Sequence, residues 1–114
     1  MCNKIGINIA EKLGDKSAVS RDSGKYICNL IIKVIEKGGL VELNFAGVGL
    51  LTSAFLNAAI GQLYNKYDSP TLQEKLSVIN MDSDDKYTLS LVIKRAKEYF
   101  ANTEAFEKTV GEVL

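Results

Sequence analysis

LNFAGVGLLTSAFLNAAIGQLYN, residues Leu43 to Asn65, is flanked by Glu42 and Lys66 and holds no charged side chain. Its hydrophobic period changes partway along. Val41, Leu43 and Phe45 alternate with Glu42 and Asn44, as on a half-buried strand, whereas Leu56, Ile60, Leu63 and Tyr67 recur three or four apart, as on one side of a helix. The switch falls between Gly47 and Ser53. Glycine there permits a tight turn, and the hydroxyls of Thr52 and Ser53 are placed to cap the helix that follows. A strand–turn–helix junction is therefore where a functional site is sought first.

Outward from this segment, similar units repeat without internal sequence repetition. Ile5, Ile7 and Ile9 read as an alternating first strand, closed by Gly14. A polar stretch, DKSAVSRDSGK, reads as a loop with a short extended piece at Ala18 and Val19. Ile27, Leu30, Ile31 and Val34 then take helical spacing, with Asp22 or Ser23 as the expected cap and Gly38–Gly39 as the stop. Pro70 marks a break, Thr71 to Lys75 a short turn, and Leu76 to Met81 a third strand. A helix is expected from Ser83, with a buried stripe of Leu89, Val92, Ala96 and Tyr99. Past Asn102 and Thr103, Phe106, Val110 and Leu114 suit a last short helix or tail. The order is an α/β plan, divided as a domain over 1–101 and a C-terminal segment over 102–114. Because the strands alternate, one sheet face should be packed by helices and the other partly wet.

Composition narrows the function. The 114 residues fit one domain, and 14 basic side chains balance 14 acidic ones, so the field that drives phosphate-backbone binding is missing and nucleic acid is not expected as a partner. Asn44, Asn57, Gln62, Asn65 and the glycines interrupt the uncharged stretch, which argues against a membrane span. The N-terminal MCNKIGINIAEKLGD shows no secretory pattern, so a cytoplasmic location is the expectation. Cys2 and Cys28 read as free thiols, Cys28 in an apolar setting. The chain has no histidine, which removes imidazole bases and imidazole metal ligands.

The remaining motifs are weak as sites of chemistry. Gly47-Val48-Gly49 follows a strand, but Thr52 stands where a dinucleotide fingerprint needs its third glycine, and no P-loop lysine follows. Asp82, Asp84 and Asp85 lack the glycine and distal glutamate of a calcium loop and read as helix-start residues, so neither metal nor cofactor is assigned. Arg21, Ser23 and Lys25 form a candidate anion site at a helix start. At the central junction Thr52 and Ser53 stand at a helix N-terminus. Beyond them Ala54, Ala58 and Gly61 share one side with Asn57 nearby, a flat uncharged surface suited to a partner.

The run VELNFAGVGLLTSAFLNAAIGQLY, preceded by SRDSGK and EKGG and followed by LSVINMDSDDKYTLSLVIKRA, resembles the STAS-like domain family over about positions 17 to 96. That family is related in fold to the anti-sigma factor antagonist domains also found on sulfate transporters. The resemblance implies a small mixed sheet of about four strands with helices on one face. It also implies protein–protein regulation rather than catalysis, with a histidine-kinase-like ATPase as the partner. The antagonist motif Asp-Ser-Ser-Gly falls on Thr52, Ser53, Ala54 and Phe55, where only Ser53 matches, and Ala54 replaces the usual phosphoacceptor. Asn44 stands where the family commonly has aspartate. The expected docking residues are Gly49, Thr52, Ser53, Ala54, Asn57, Ala58 and Gly61, with Ser53 as the alternative phosphorylation site. The competing class is a small-ligand or nucleotide sensor holding an anion at the same helix N-terminus.

Overall fold

The computed structural model describes residues 4–113, and side chains over 4–100. Cys2, Leu114 and the side chains of Phe106 and Val110 lie outside the described residues. Strand β1 (Lys4–Asn8) leads directly into helix α1 (Ile9–Leu13), so Ile9 opens a helix rather than ending the strand. The cause is local: the Asn8 side chain accepts the Glu11 N–H at 2.9 Å, and Gly14 closes the helix in the left-handed region at φ +67°. Strand β2 (Ser17–Ala18) follows.

Helix α2 (Arg21–Glu36) is capped by Ser20, two or three residues earlier than the expected Asp22 or Ser23. The Ser20 hydroxyl accepts the Ser23 N–H at 3.0 Å and donates to the Ser23 hydroxyl at 2.8 Å. Gly24, Ile27, Cys28, Ile31 and Ile35 form its buried stripe. At its end Gly38 takes φ +83°, and the Gly38 and Gly39 N–H groups return to the carbonyls of Ile35 and Val34, the expected glycine stop.

Strands β3 (Leu40–Asn44) and β5 (Leu76–Ile79) complete a three-stranded sheet in the order β1-β3-β5, parallel at both pairings. Ile5 pairs with Val41 and Ile7 with Leu43, so the apolar residues share one face. There Ile7, Val41 and Leu43 join Ile27 and Ile31 of α2 in the core. The other face is the wet one: the Lys4 ammonium meets the Glu42 carboxylate at 2.7 Å, and Ser77 is exposed. The α/β plan thus stands, with five strands divided between this sheet and a second, two-stranded one.

The second sheet joins the short extended piece expected at Ala18 and Val19, which forms one residue earlier, to a strand that the sequence reading does not contain. Strand β4 (Leu50–Leu51) lies inside the junction and pairs in parallel with β2, Ser17 opposite Leu50 and Ala18 opposite Leu51. Helix α3 (Ser53–Ala59) then ends at Ile60, and a 3-10 helix spans Gly61–Asn65. The expected single helix is therefore broken, although Leu56, Ile60 and Leu63 still reach the core. Phe55, from the same helix, is fully buried.

Pro70 opens a helix instead of merely interrupting the chain. Asp68 accepts the Thr71 N–H at 2.9 Å, and Pro70 sits in the first turn of α4 (Ser69–Lys75), where its missing N–H costs nothing. Strand β5 stops at Ile79 because Asn80 turns to φ +57° and donates its side-chain amide to the Asn44 Oδ1 at 3.0 Å. Helix α5 (Ser83–Val113) is capped by Asp82 through the Asp85 N–H at 2.9 Å and runs through Asn102 and Thr103 without a break. Its buried stripe holds Val92 and Ala96 but not Tyr99, which is 64% exposed.

Candidate functional site

Hydrogen bonds both within the segment and to distant parts of the chain hold the junction in one shape. The Asn44 Oδ1 accepts the Ala46 N–H at 2.9 Å as well as the Asn80 amide, two bonds that an aspartate at this position would accept equally. The Val48 N–H reaches the Phe45 carbonyl at 3.1 Å around Gly47, whose φ of +85° is the left-handed conformation that glycine tolerates. The Gly49 and Leu50 N–H groups both donate to the Lys16 carbonyl, at 2.8 and 3.2 Å, and the Thr52 N–H donates to Ala18 at 3.2 Å. Thr52 then works twice: its hydroxyl accepts the Phe55 N–H at 3.3 Å and donates to the Val19 carbonyl at 2.8 Å. Helix α3 is thereby tied to β2, with an apolar pair exposed beside the tie, Leu50 at 58% and Val19 at 36%.

The residues expected to form one docking surface divide in two. Gly49, Ser53, Ala54 and Asn57 are exposed and Thr52 is half-buried. Ala58 and Gly61 belong to the interior, which corrects the flat-surface reading. Ala58 faces α2 at Gly24, where an added Cβ would lie 2.7 Å from the Ala58 Cβ and 2.6 Å from the Phe55 carbonyl oxygen. A Cβ on Gly61 would meet the Asn57 Oδ1 at 2.6 Å and a Val92 methyl of α5 at 3.4 Å. The small residues admit this domain's own helices at close range. Their spacing marked a close approach, and only the packing shows what approaches.

Two grooves flank α3. One, of about 770 Å³, lies toward α5 and is lined by Ser53, Ala54, Asn57, Gln62, Arg95 and Tyr99, among others. The second, of about 530 Å³, lies toward α2 and is lined by Arg21, Lys25, Cys28, Asn29, Asn57, Ala58 and Gln62. Of the anion-site trio, Arg21 and Lys25 meet here, whereas Ser23 is engaged with Ser20 and does not line the groove. Asn29, Gln62 and Arg95 escaped the sequence reading. The spacing of four from Arg21 to Lys25 to Asn29 is the signal that places those three on one helix face. Burial pushes the Cys28 thiol up, opposed by the nearby Lys66 charge. Burial and the charges of Asp82 and Asp84 likewise raise the Asp85 carboxyl.

For the nucleotide-sensor alternative, α3 spans seven residues and Thr52 already satisfies the Phe55 N–H, which leaves a weak anchor for a free anion. No helix among the described residues is long and apolar enough to cross a membrane. Comparison with curated proteins and with solved structures finds no match. A family model does match, over residues 23–86, more than half the chain and including most of α2, the junction and the start of α5. Its span contains the strand–turn–helix unit that first pointed to the resemblance, and the chain belongs to the family described as STAS-like domain of unknown function (DUF4325).

Proposed function

We propose that the protein is a non-enzymatic regulatory interaction module, similar in role to an anti-sigma factor antagonist. It docks a protein partner, a histidine-kinase-like ATPase, through the Gly49–Ser53 junction and the exposed Ala54 and Asn57 of α3. The carrying observation is the pairing of rigidity with exposure. Leu50 is 58% exposed on a junction held by the Lys16, Ala18 and Thr52 hydrogen bonds, with Val19 exposed nearby. An apolar anchor on a pre-ordered backbone loses little entropy on binding. Ser53 is exposed at the first residue of α3, so a kinase partner would transfer the γ-phosphoryl of ATP to its Oγ, with release of ADP and the hydroxyl proton, whereas Ala54 has no acceptor.

A photo-crosslinking residue in place of Leu50 tests this in native lysate, with the same residue in place of Tyr87 on α5 as the control. A discrete adduct formed from position 50 alone is expected. Adducts of equal yield from both positions, or none from position 50, would refute the docking reading. The sensor alternative predicts instead that a nucleotide or phosphorylated metabolite raises the melting temperature without any partner.

A further inference from the structure

We infer that the groove between α2 and α3 receives an acidic segment of the protein partner. This deepens the docking reading above and rests on it. Arg21, Lys25 and Asn29 succeed one another at intervals of four along α2, which brings them to one edge of the groove, with Asn57 and Gln62 from the α3 unit also lining it. Among the described residues no carboxylate lines this groove or its neighbour, which carries Arg95 beyond the shared Asn57 and Gln62. Asp22, next to Arg21 in the chain, is not a lining residue.

The ion pairs among the described residues are Lys4–Glu42 and Lys66–Glu36, so within that set Arg21, Lys25 and Arg95 have no carboxylate in ion-pair contact. In a chain with zero formal net charge, this is local segregation of positive charge. Two cations at a spacing of four on a helix repel each other, and an incoming carboxylate relieves that repulsion. From Arg21 to Asn29 the helix rises about 12 Å, room for an extended chain of several residues. Carboxamides both donate and accept, so Asn29, Asn57 and Gln62 suit peptide N–H and C=O groups behind the acidic side chains. A lone phosphate would use the two cations and leave those three groups idle. These features favour an acidic peptide over a free oxyanion.

The test uses the full chain and a fluorescein-labelled peptide with glutamate at alternate positions, read by anisotropy against the same peptide with glutamine. Tighter binding of the glutamate peptide is expected, weakening as salt rises. Arg21→Glu with Lys25→Glu should lower affinity about tenfold, while Lys33→Glu, a charge reversal outside the groove on the same helix, should change it less than about twofold. Amide chemical shifts of the wild-type protein should move at Arg21–Asn29, Asn57 and Gln62, a readout independent of the variants' folding. Equal affinity for the glutamine peptide, equal losses from Lys33→Glu, shifts centred elsewhere, or complete displacement of the peptide by millimolar inorganic phosphate would overturn the inference. If a partner crosslinks at position 50 with full yield despite the double reversal, the groove assignment falls and the docking reading stands. Groove binding of the peptide without any adduct at position 50 has the opposite meaning.

Discussion

Replacing Gly24 by alanine sets two opposing effects against each other on one helix. Gly24 is buried within α2, and intrinsic propensity alone would make Gly24→Ala stabilising by about 1 kcal/mol. The new methyl, however, would lie 2.6 Å from the Phe55 carbonyl oxygen, 2.7 Å from the Ala58 Cβ and 3.2 Å from the Ala59 nitrogen. Ordinary carbon contacts lie at about 3.5–4.0 Å, so α2 and α3 must part by most of an ångström. None of the three obstructing atoms is a side-chain tip that can rotate away. Overpacking of this kind costs about 1–3 kcal/mol, and an immovable contact belongs at or above the upper end of that range. We expect net destabilisation of about 2 kcal/mol, a fall in Tm of about 8 °C for a domain of this size. Denaturant unfolding should show a lower midpoint with an unchanged m value. Gly6→Ala is the control: nothing lies within 4 Å of its added Cβ, and its stability should hold or rise slightly. In an Ala58→Gly background Gly24→Ala should cost less than it does in the wild type, since the 2.7 Å contact is gone while the one to Phe55 remains. A higher Tm for Gly24→Ala alone would show that the two helices do not pack this closely, and would reopen Ala58 as a surface residue.

Other consequences can be measured on the same protein. Thr52→Ala removes both the α3 cap and the tie to Val19 and should cost about 1–2 kcal/mol in denaturant unfolding, with Thr52→Ser recovering most of it. Burial and the hydrogen bond to Glu36 push the Tyr67 phenol up to about 12 from its ordinary 10. The folded state therefore holds this proton longer than the unfolded one. Its stabilisation is complete below pH 10 and is lost as pH rises from 10 toward 12, and Glu36→Gln should move the 295 nm titration of this tyrosine downward. Burial of Cys28 should make its alkylation at pH 8 slow in the native protein and fast in denaturant, as followed by peptide mapping. Leu50→Ser should change stability by less than about 0.5 kcal/mol because the side chain is mostly exposed, and loss of the position-dependent partner contact should be its main effect.

Much of this architecture was legible because its signals are local. The alternation of Val41, Leu43 and Phe45, the glycine stop after α2, the Thr52 cap and the start of α5 at Ser83 are each set by residues within one turn or one strand. The misreadings occurred where two local signals compete or where the deciding partner is distant. Ile9 fits the strand period, yet the Asn8 cap draws it into α1. Tyr99 fits the α5 stripe, yet at that turn it is exposed. Leu50–Leu51 looked like part of a turn because two residues carry no period, and they become a strand only through pairing with Ser17–Ala18, some thirty residues away in sequence.

By itself the sequence determined the alternation of strands and helices, the uncharged junction after β3, and the absence of a histidine-based site, since periodicity, capping and composition are properties of neighbouring residues. Tertiary structure alone decided which way the small residues face. Ala58 and Gly61 could serve a partner or the domain's own core with the same spacing, and the approach of Gly24 and Val92 commits them to the core. It also decided that Arg21 and Lys25 of α2 meet Asn57 and Gln62 across one groove, because convergence of side chains far apart in the chain depends on how the helices pack.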